Sequence, residues 1–331
     1  MTSVESSHQG PAIAWVESPL QLVAAAEWAE TQQRKVVVAL RITSAHMSTT
    51  AAELLSRGAR FAHCVPYFGI PWQLLSAHRD WAVGDAFSGQ FRLASTMLSP
   101  RSLALLDDGS QAIAVIDALL GRTSFTRPHQ RESALLGALG ILTRDRMLSL
   151  AARSRLEVAT AFAFGNVRTS LLNNRGIPVS SHRFEWVRRT ARPIAVPGNR
   201  VLLGSALPTD GRMPLDRYLR WVRAEAADSP LVSAPLVYLP HRRESDALVS
   251  EVASITGVRV FDSGLPVELV LAGAQAPLEV ITLPTSARTT LAHVLAGTGS
   301  VVSTRYPARD DSVSPPPMSR SRGAGAATSS E

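Results

Sequence analysis

The 331 residues, 45% hydrophobic, are enough for two ordinary domains, each with its own core. No apolar run approaches the roughly 20 residues that a membrane helix needs, and the lone Cys64 excludes an internal disulfide framework or a multi-cysteine zinc cluster. The net charge of +7 invites a nucleic-acid reading, but Lys35 is the only lysine, the arginines are dispersed, and no zinc-finger, RNP or helix-turn-helix signature is present.

In chain order, a short apolar strand, a small or polar loop and a helical segment recur. The opening MTSVESSHQGPA carries acid and lacks an apolar segment, unlike a secretory signal, so the cytoplasm is the expected compartment. AIAWV reads as a strand leading into the helical ESPLQLVAAAEWAETQQ, where Ser18 suits an N-cap and Pro19 the first turn. KVVVAL follows as a strand and STTAAELLSRGA as a helix. RFAHCVPY is a third strand, in which Cys64 is expected as a buried, inert thiol. RDWAVGDAFSG and SLALLDDG read as strands with polar ends. SQAIAVIDALLG is a helix stopping at Gly121, and LEVATAFAF is another strand.

Residues 183–200 lose the pattern, carry two prolines and a glycine, and are read as the connection between domains. The rhythm restarts with RVLLGSAL, PLVYLPHRRESDALVSEVASITG, VRVFDSGLPVELVLAGA, LEVITLPTSARTTLAHVLAG and GSVVSTRY. Such alternation predicts mainly parallel sheets covered by helices. The expected division is an N-terminal Rossmann-like domain over 11–190, a C-terminal one over 199–306, and a Pro/Ser/Gly-rich disordered tail over 307–331.

Open α/β sheets bind ligands at the carboxyl ends of their strands, so polar residues directly after strands are the candidates. Glu17, Ser18 and Gln21 follow AIAWV. Asp107, Asp108 and Gly109 follow SLALL. Gly204 follows RVLL, His241 and Arg242 follow PLVYLP, and Thr285 and Ser286 follow LEVITLP. Taken singly, each has a plain structural explanation. Asp-Asp-Gly suits a solvated turn, Thr285 and Ser286 suit a helix cap, and Glu17-Ser18 a helix entry. As a set they are chemically coherent: a carboxylate to take a hydroxyl proton, and a histidine, arginines and hydroxyls to balance a phosphate. No GxGxxG, P-loop, GxSxG or HExxH motif competes, and no D-x-D pair sits at a strand end.

The stretches VESPLQLVAAAEW (16–28), LLDDGS (105–110), YLPHRRE (238–244), GLPVELVL (264–271) and LPTSARTTL (283–291) resemble bacterial sialyltransferases. The nearest groups are the capsule polysialyltransferases and the related lipooligosaccharide enzymes. The motifs occur in that family's order between residue 13 and about 304. The resemblance implies a GT-B fold, two Rossmann-like domains facing a central cleft. It also implies inverting, metal-independent transfer of sialic acid from a CMP-activated donor to a glycan hydroxyl, without a cofactor. In that scheme Asp107 is the general base, and adjacent Asp108 raises its pKa toward usefulness. His241 contacts the donor phosphate and serves as general acid. Thr285 and Ser286 bind the phosphate, Glu268 is a ribose ligand, and Gly204 lets the backbone approach the nucleotide.

The sequence departs from the family where His241 is followed by Arg242 instead of proline, and where Thr285-Ser286 stands for Ser-Ser. A GT-B glycosyltransferase using another nucleotide-sugar donor such as CMP-Kdo, or a catalytically silent nucleotide-binding homologue, is the alternative. The expected partners are a nucleotide-sugar donor and a glycan acceptor, and no nucleic acid. The arginine-rich surface is compatible with peripheral contact at the inner membrane face, although no amphipathic anchor is evident. The acceptor and the oligomeric state stay open.

Overall fold

The computed structural model describes residues 10–307 apart from 43, 107, 108, 110, 129 and 229–234. The expected tail beyond residue 307 therefore lies outside the described residues. β1 (Ala12–Val16) is buried along its whole length, as suits a parallel strand covered on both faces. It turns into α1 (Pro19–Thr31), where the Ser18 side chain accepts from the Gln21 N–H and Pro19 opens the first turn.

The first unit continues through β2 (Val36–Arg41), α2 (Ala45–Ser56), β3 (Phe61–Tyr67), α3 (Trp72–Ala77), β4 (Asp80–Val83) and α4 (Gly89–Met97). It closes with β5 (Ser102–Leu106), α5 (Gln111–Leu119), α6 (Ala134–Ala151), β6 (Leu156–Thr160), α7 (Gly165–Asn173) and β7 (Val179–Ser181). A short α8 (Glu185–Arg189) leads to the second unit. That unit contains β8 (Arg200–Leu203), α9 (Leu215–Ala227), β9 (Leu236–Leu239), α10 (Asp246–Ala253), β10 (Val258–Val260), α11 (Val267–Ala272), β11 (Glu279–Thr282), α12 (Ala287–Val294) and β12 (Val301–Thr304).

Among the described residues these strands form two wholly parallel sheets, ordered β3-β2-β1-β4-β5-β6-β7 and β10-β9-β8-β11-β12. In each, the strand order runs one way from its first strand and then reverses, the doubly wound Rossmann order. The α/β fold of two Rossmann-like units expected for a GT-B protein is therefore present. The reversal points lie between β1 and β4, and between β8 and β11.

The segment read as a connection is more structured than its sequence suggests. Phe184, fully buried, takes a left-handed conformation (φ 54°) at the entry to α8. The buried carboxylate of Glu27 on α1 accepts the first N–H groups of that helix, from Val187 at 2.8 Å and Trp186 at 3.3 Å. A carboxylate on a helix N-terminus satisfies donors that have no partner inside the helix. Burial nevertheless pushes the Glu27 pKa up. Further along, Ile194 bridges to Ala274, and a Cβ on Gly273 would stand 2.1 Å from the Arg192 carbonyl, so only glycine fits.

Through Phe184, Trp186 and Val187 one apolar core continues from the α1–α2 face of the first sheet to Leu203, Leu239 and Leu269 of the second unit. Separate cores fill the α4–α6 face of the first sheet and the α9–α10 face of the second. Cys64 is half-buried, not enclosed, and partial burial raises its pKa and favours the thiol. Among the described residues no helix is long and apolar enough to cross a membrane.

Candidate active site

Both reversal points open onto one cleft of about 1100 Å³ between the two units. The loop after β1 brings Glu17, Ser18 and Gln21 to it, and the loop after β5 brings Gly109. From the second unit come Gly204 after β8, His241 and Arg242 after β9, Glu268 on α11, and Thr285 and Ser286 after β11. Of the residues chosen from sequence, Asp107 and Asp108 lie outside the described residues, and all the others line this one cleft.

On the first unit, Glu17 accepts from Arg41 Nη1 at 2.5 Å and from Ser88 Oγ at 3.1 Å. Gln21 turns its Oε1 to the Glu17 N–H at 2.7 Å and packs so closely on Gly84 that a Cβ there would lie 2.3 Å away. Ser18 Oγ and Gln21 Oε1, on two buried residues, thus both accept backbone N–H groups of the turn.

Beside this turn stands a cluster absent from the sequence-based candidates. Arg127 reaches the cleft with Nη2 on Asp85 at 2.5 Å and Nη1 on Gln111 at 2.7 Å. Its backbone N–H donates to Glu132 at 2.7 Å, and Glu132 also holds Arg92 in a bidentate pair at 2.6 and 2.8 Å. Arg92 is fully buried on α4, its guanidinium 5.8 Å and 5.5 Å from the ring centroids of Phe87 and Phe125. No local signal marks an arginine buried between two aromatic rings, because its neighbours come from distant segments.

On the second unit, His241 follows Pro240 at the end of β9. Its Nδ1 accepts the Arg243 N–H at 3.2 Å, so the neutral ring carries its proton on Nε2. Burial, with Arg242 and Arg243 adding to it, pulls the His241 pKa down to about 4. Arg243 itself is held by Asp210 in a two-bond pair at 2.8 Å each. The missing side chain of Gly204 makes room for the chain itself: a Cβ would stand 2.5 Å from the His241 backbone nitrogen and 2.8 Å from Glu244 Oε1.

Glu268, only 4% exposed, accepts from Thr290 Oγ1 at 2.7 Å, and burial raises its pKa. At the start of α12, Thr285 Oγ1 accepts from the Ala287 N–H at 3.4 Å, whereas Ser286 makes no side-chain cap. The Ser286 hydroxyl lies instead against Gly109 of the first unit, where a Cβ would meet its Oγ at 2.7 Å. Gly109 also has a φ of +66°, a second reason for glycine at this contact between the two walls. Among the described residues no group of three or more His, Cys, Asp or Glu side chains is arranged to hold a metal ion.

No protein-family model matches the chain, and no curated protein matches it in sequence. Among solved structures, it is similar to a crystal structure of the GT-B domain of a sialyltransferase from Photobacterium damselae. That similarity covers 85% of this chain and 88% of that one, with a TM-score of 0.41 and 11% identity.

Proposed function

We propose that the protein is an inverting glycosyltransferase that moves sialic acid from CMP-sialic acid to a hydroxyl of a glycan acceptor. The observation that carries this reading is the convergence of both reversal-point loops on one cleft. One wall offers a neutral histidine with its proton on Nε2, Arg242 and the start of α12; the other offers the glycine that follows two adjacent carboxylates. The sequence motifs resembling bacterial sialyltransferases fall on these same loops.

In the proposed reaction Asp107 takes the proton of the acceptor hydroxyl as its oxygen bonds to the anomeric carbon of the donor. The bond from that carbon to the phosphate oxygen breaks, and its electron pair leaves with CMP. His241, neutral at rest, donates an Nε2–H hydrogen bond to the departing phosphate, so it acts as a donor and not as a proton-transferring acid. Arg242, Thr285 and Ser286 share the phosphate charge, which is why the reading needs neither a metal nor a cofactor. Glu268 takes the ribose hydroxyls, and the acceptor glycan enters from the wall formed by the first unit.

Calorimetric titration of CMP and CDP, with and without chelator, tests this. CMP should bind in preference to CDP and survive chelation. His241→Ala should weaken it by about 10- to 100-fold, the worth of a hydrogen bond to a charged group. Asp107→Ala should then bind CMP normally but lose sugar transfer. A CMP-Kdo donor would reverse the preference among CMP-sugars, and nucleotide binding without any transfer would mark a silent homologue. Absence of binding by either nucleotide would remove the proposal.

A further inference from the structure

Glu244 was not among the residues singled out from sequence, yet it joins the two loops that form the second unit's side of the cleft. Its Oε1 accepts from the Ser205 N–H at 2.7 Å, and stands 2.7 Å from the Tyr238 hydroxyl and 3.1 Å from that of Tyr218. Its Oε2 accepts from the His241 N–H at 3.3 Å. The two tyrosine oxygens are 2.7 Å apart. Two hydroxyl protons serve these three oxygen contacts, so at least one is directed at the carboxylate.

Tyr218 comes from α9 and Tyr238 from β9, and both are fully buried. The carboxylate therefore gathers backbone from the end of β8, backbone from the end of β9, and two core side chains. Gly204 is part of the same device, since a Cβ there would strike both Glu244 oxygens at 2.8 and 2.9 Å. A half-buried carboxyl is costly to keep unless its lone pairs are met, and here each oxygen accepts at least one hydrogen bond. Burial pushes the Glu244 pKa up while the bonds from Tyr238, Ser205, Tyr218 and His241 oppose that rise.

We infer that Glu244 is a positioning residue. It pins the backbone after β8 to the backbone after β9, and through the His241 N–H fixes the turn in which Arg243 N–H meets Nδ1, holding the imidazole in its Nε2–H form. This role rests on the proposed nucleotide site only for its effect on binding. The effect on the imidazole is independent of what binds. Glu244→Gln keeps the shape but replaces one accepting oxygen with an NH2 group. That group would either face the His241 N–H donor to donor, or surrender the Ser205 bond.

The test uses the full-length protein with 15N-labelled histidine, the His241 signals being assigned with a His241→Gln variant. Wild-type His241 is expected to show the Nε2–H pattern of ring nitrogen shifts. Glu244→Gln is expected to lose that pattern and to weaken CMP binding about tenfold, with the melting temperature shifted by only a few degrees. If wild type shows this tautomer and the variant loses it, but CMP binds neither, the positioning role stands and the nucleotide reading falls. If Glu244→Gln keeps the wild-type pattern and CMP affinity, the inference is overturned. Should that variant not fold, Tyr238→Phe is read in its place. It removes one hydroxyl from Oε1 while keeping the ring, and unchanged His241 shifts together with unchanged CMP affinity would likewise overturn the inference.

Discussion

Glu132→Gln tests whether the wall of the cleft carrying Arg127 is held by a buried ion pair. Arg92 has no exposed side-chain surface and Glu132 only 10%, and their two bonds of 2.6 and 2.8 Å are joined by the Arg127 N–H at 2.7 Å. Glutamine preserves volume and one accepting oxygen but leaves the guanidinium charge without a counter-charge. Removing one partner of a buried pair costs about 3–5 kcal/mol, and the retained acceptor together with the partial exposure of Glu132 sets the lower end, about 3 kcal/mol.

For a unit of this size that loss corresponds to a fall of roughly 6–12 °C in melting temperature, read by calorimetry or circular dichroism. Arg92→Met/Glu132→Met should recover most of it, because both charges go together and the Phe87 and Phe125 rings accept an apolar chain. A double-mutant cycle should therefore show strong coupling. A single-variant loss below about 1 kcal/mol, or additive single variants, would refute the view that this pair holds the wall.

Three other outcomes follow from the same geometry. Asp80 is opposed by burial but held well below the usual carboxylate range by bonds from Arg101, Arg34 and Ser102. Its stabilisation is therefore complete above its ordinary pKa of 3.8 and lost as pH falls toward the lower folded value. Asp80→Asn should cost about 2 kcal/mol at pH 7, reduced from the buried-pair figure because Arg101 is 46% exposed, and the gap to wild type should shrink in acid melts. Glu268 is the opposite case: burial raises its folded pKa, so its contribution worsens as pH climbs above 4.5. Glu268→Gln should flatten that decline in pH-dependent melting while still accepting from Thr290, and a slope equal to wild type would count against it. Gly204→Ala should cost about 2 kcal/mol through the clash with the His241 backbone, measured by denaturant unfolding, and weaken CMP binding in step.

What the sequence determined by itself was local and periodic. The strand-loop-helix alternation identified two α/β units, and residues directly after AIAWV, RVLL, PLVYLP and LEVITLP pointed to the cleft, because chain order and the doubly wound rule suffice to aim strand ends. Ser18-Pro19 marked the start of α1 for the same local reason. α6 escaped because its apolar residues are not confined to one face: Leu135, Ile141 and Leu142 are exposed while Thr143 is buried. α8 escaped because its entry depends on Phe184 in a left-handed conformation and on Glu27, 158 residues away from Glu185.

Only the tertiary structure decided which partners the polar groups of the cleft have. Gln21 lines the cleft and also closes its own turn, its Oε1 accepting from the Glu17 N–H beside Gly84. Gly204 makes room for His241 and Glu244. Arg92 and Glu132, in no quoted motif, and Glu244, given no role in YLPHRRE, stand out through partners gathered from separate elements. Burial and charge pairing depend on three-dimensional neighbours. Desolvation of a carboxylate or a histidine is set by what packs around it, and that packing comes mostly from residues distant in the chain.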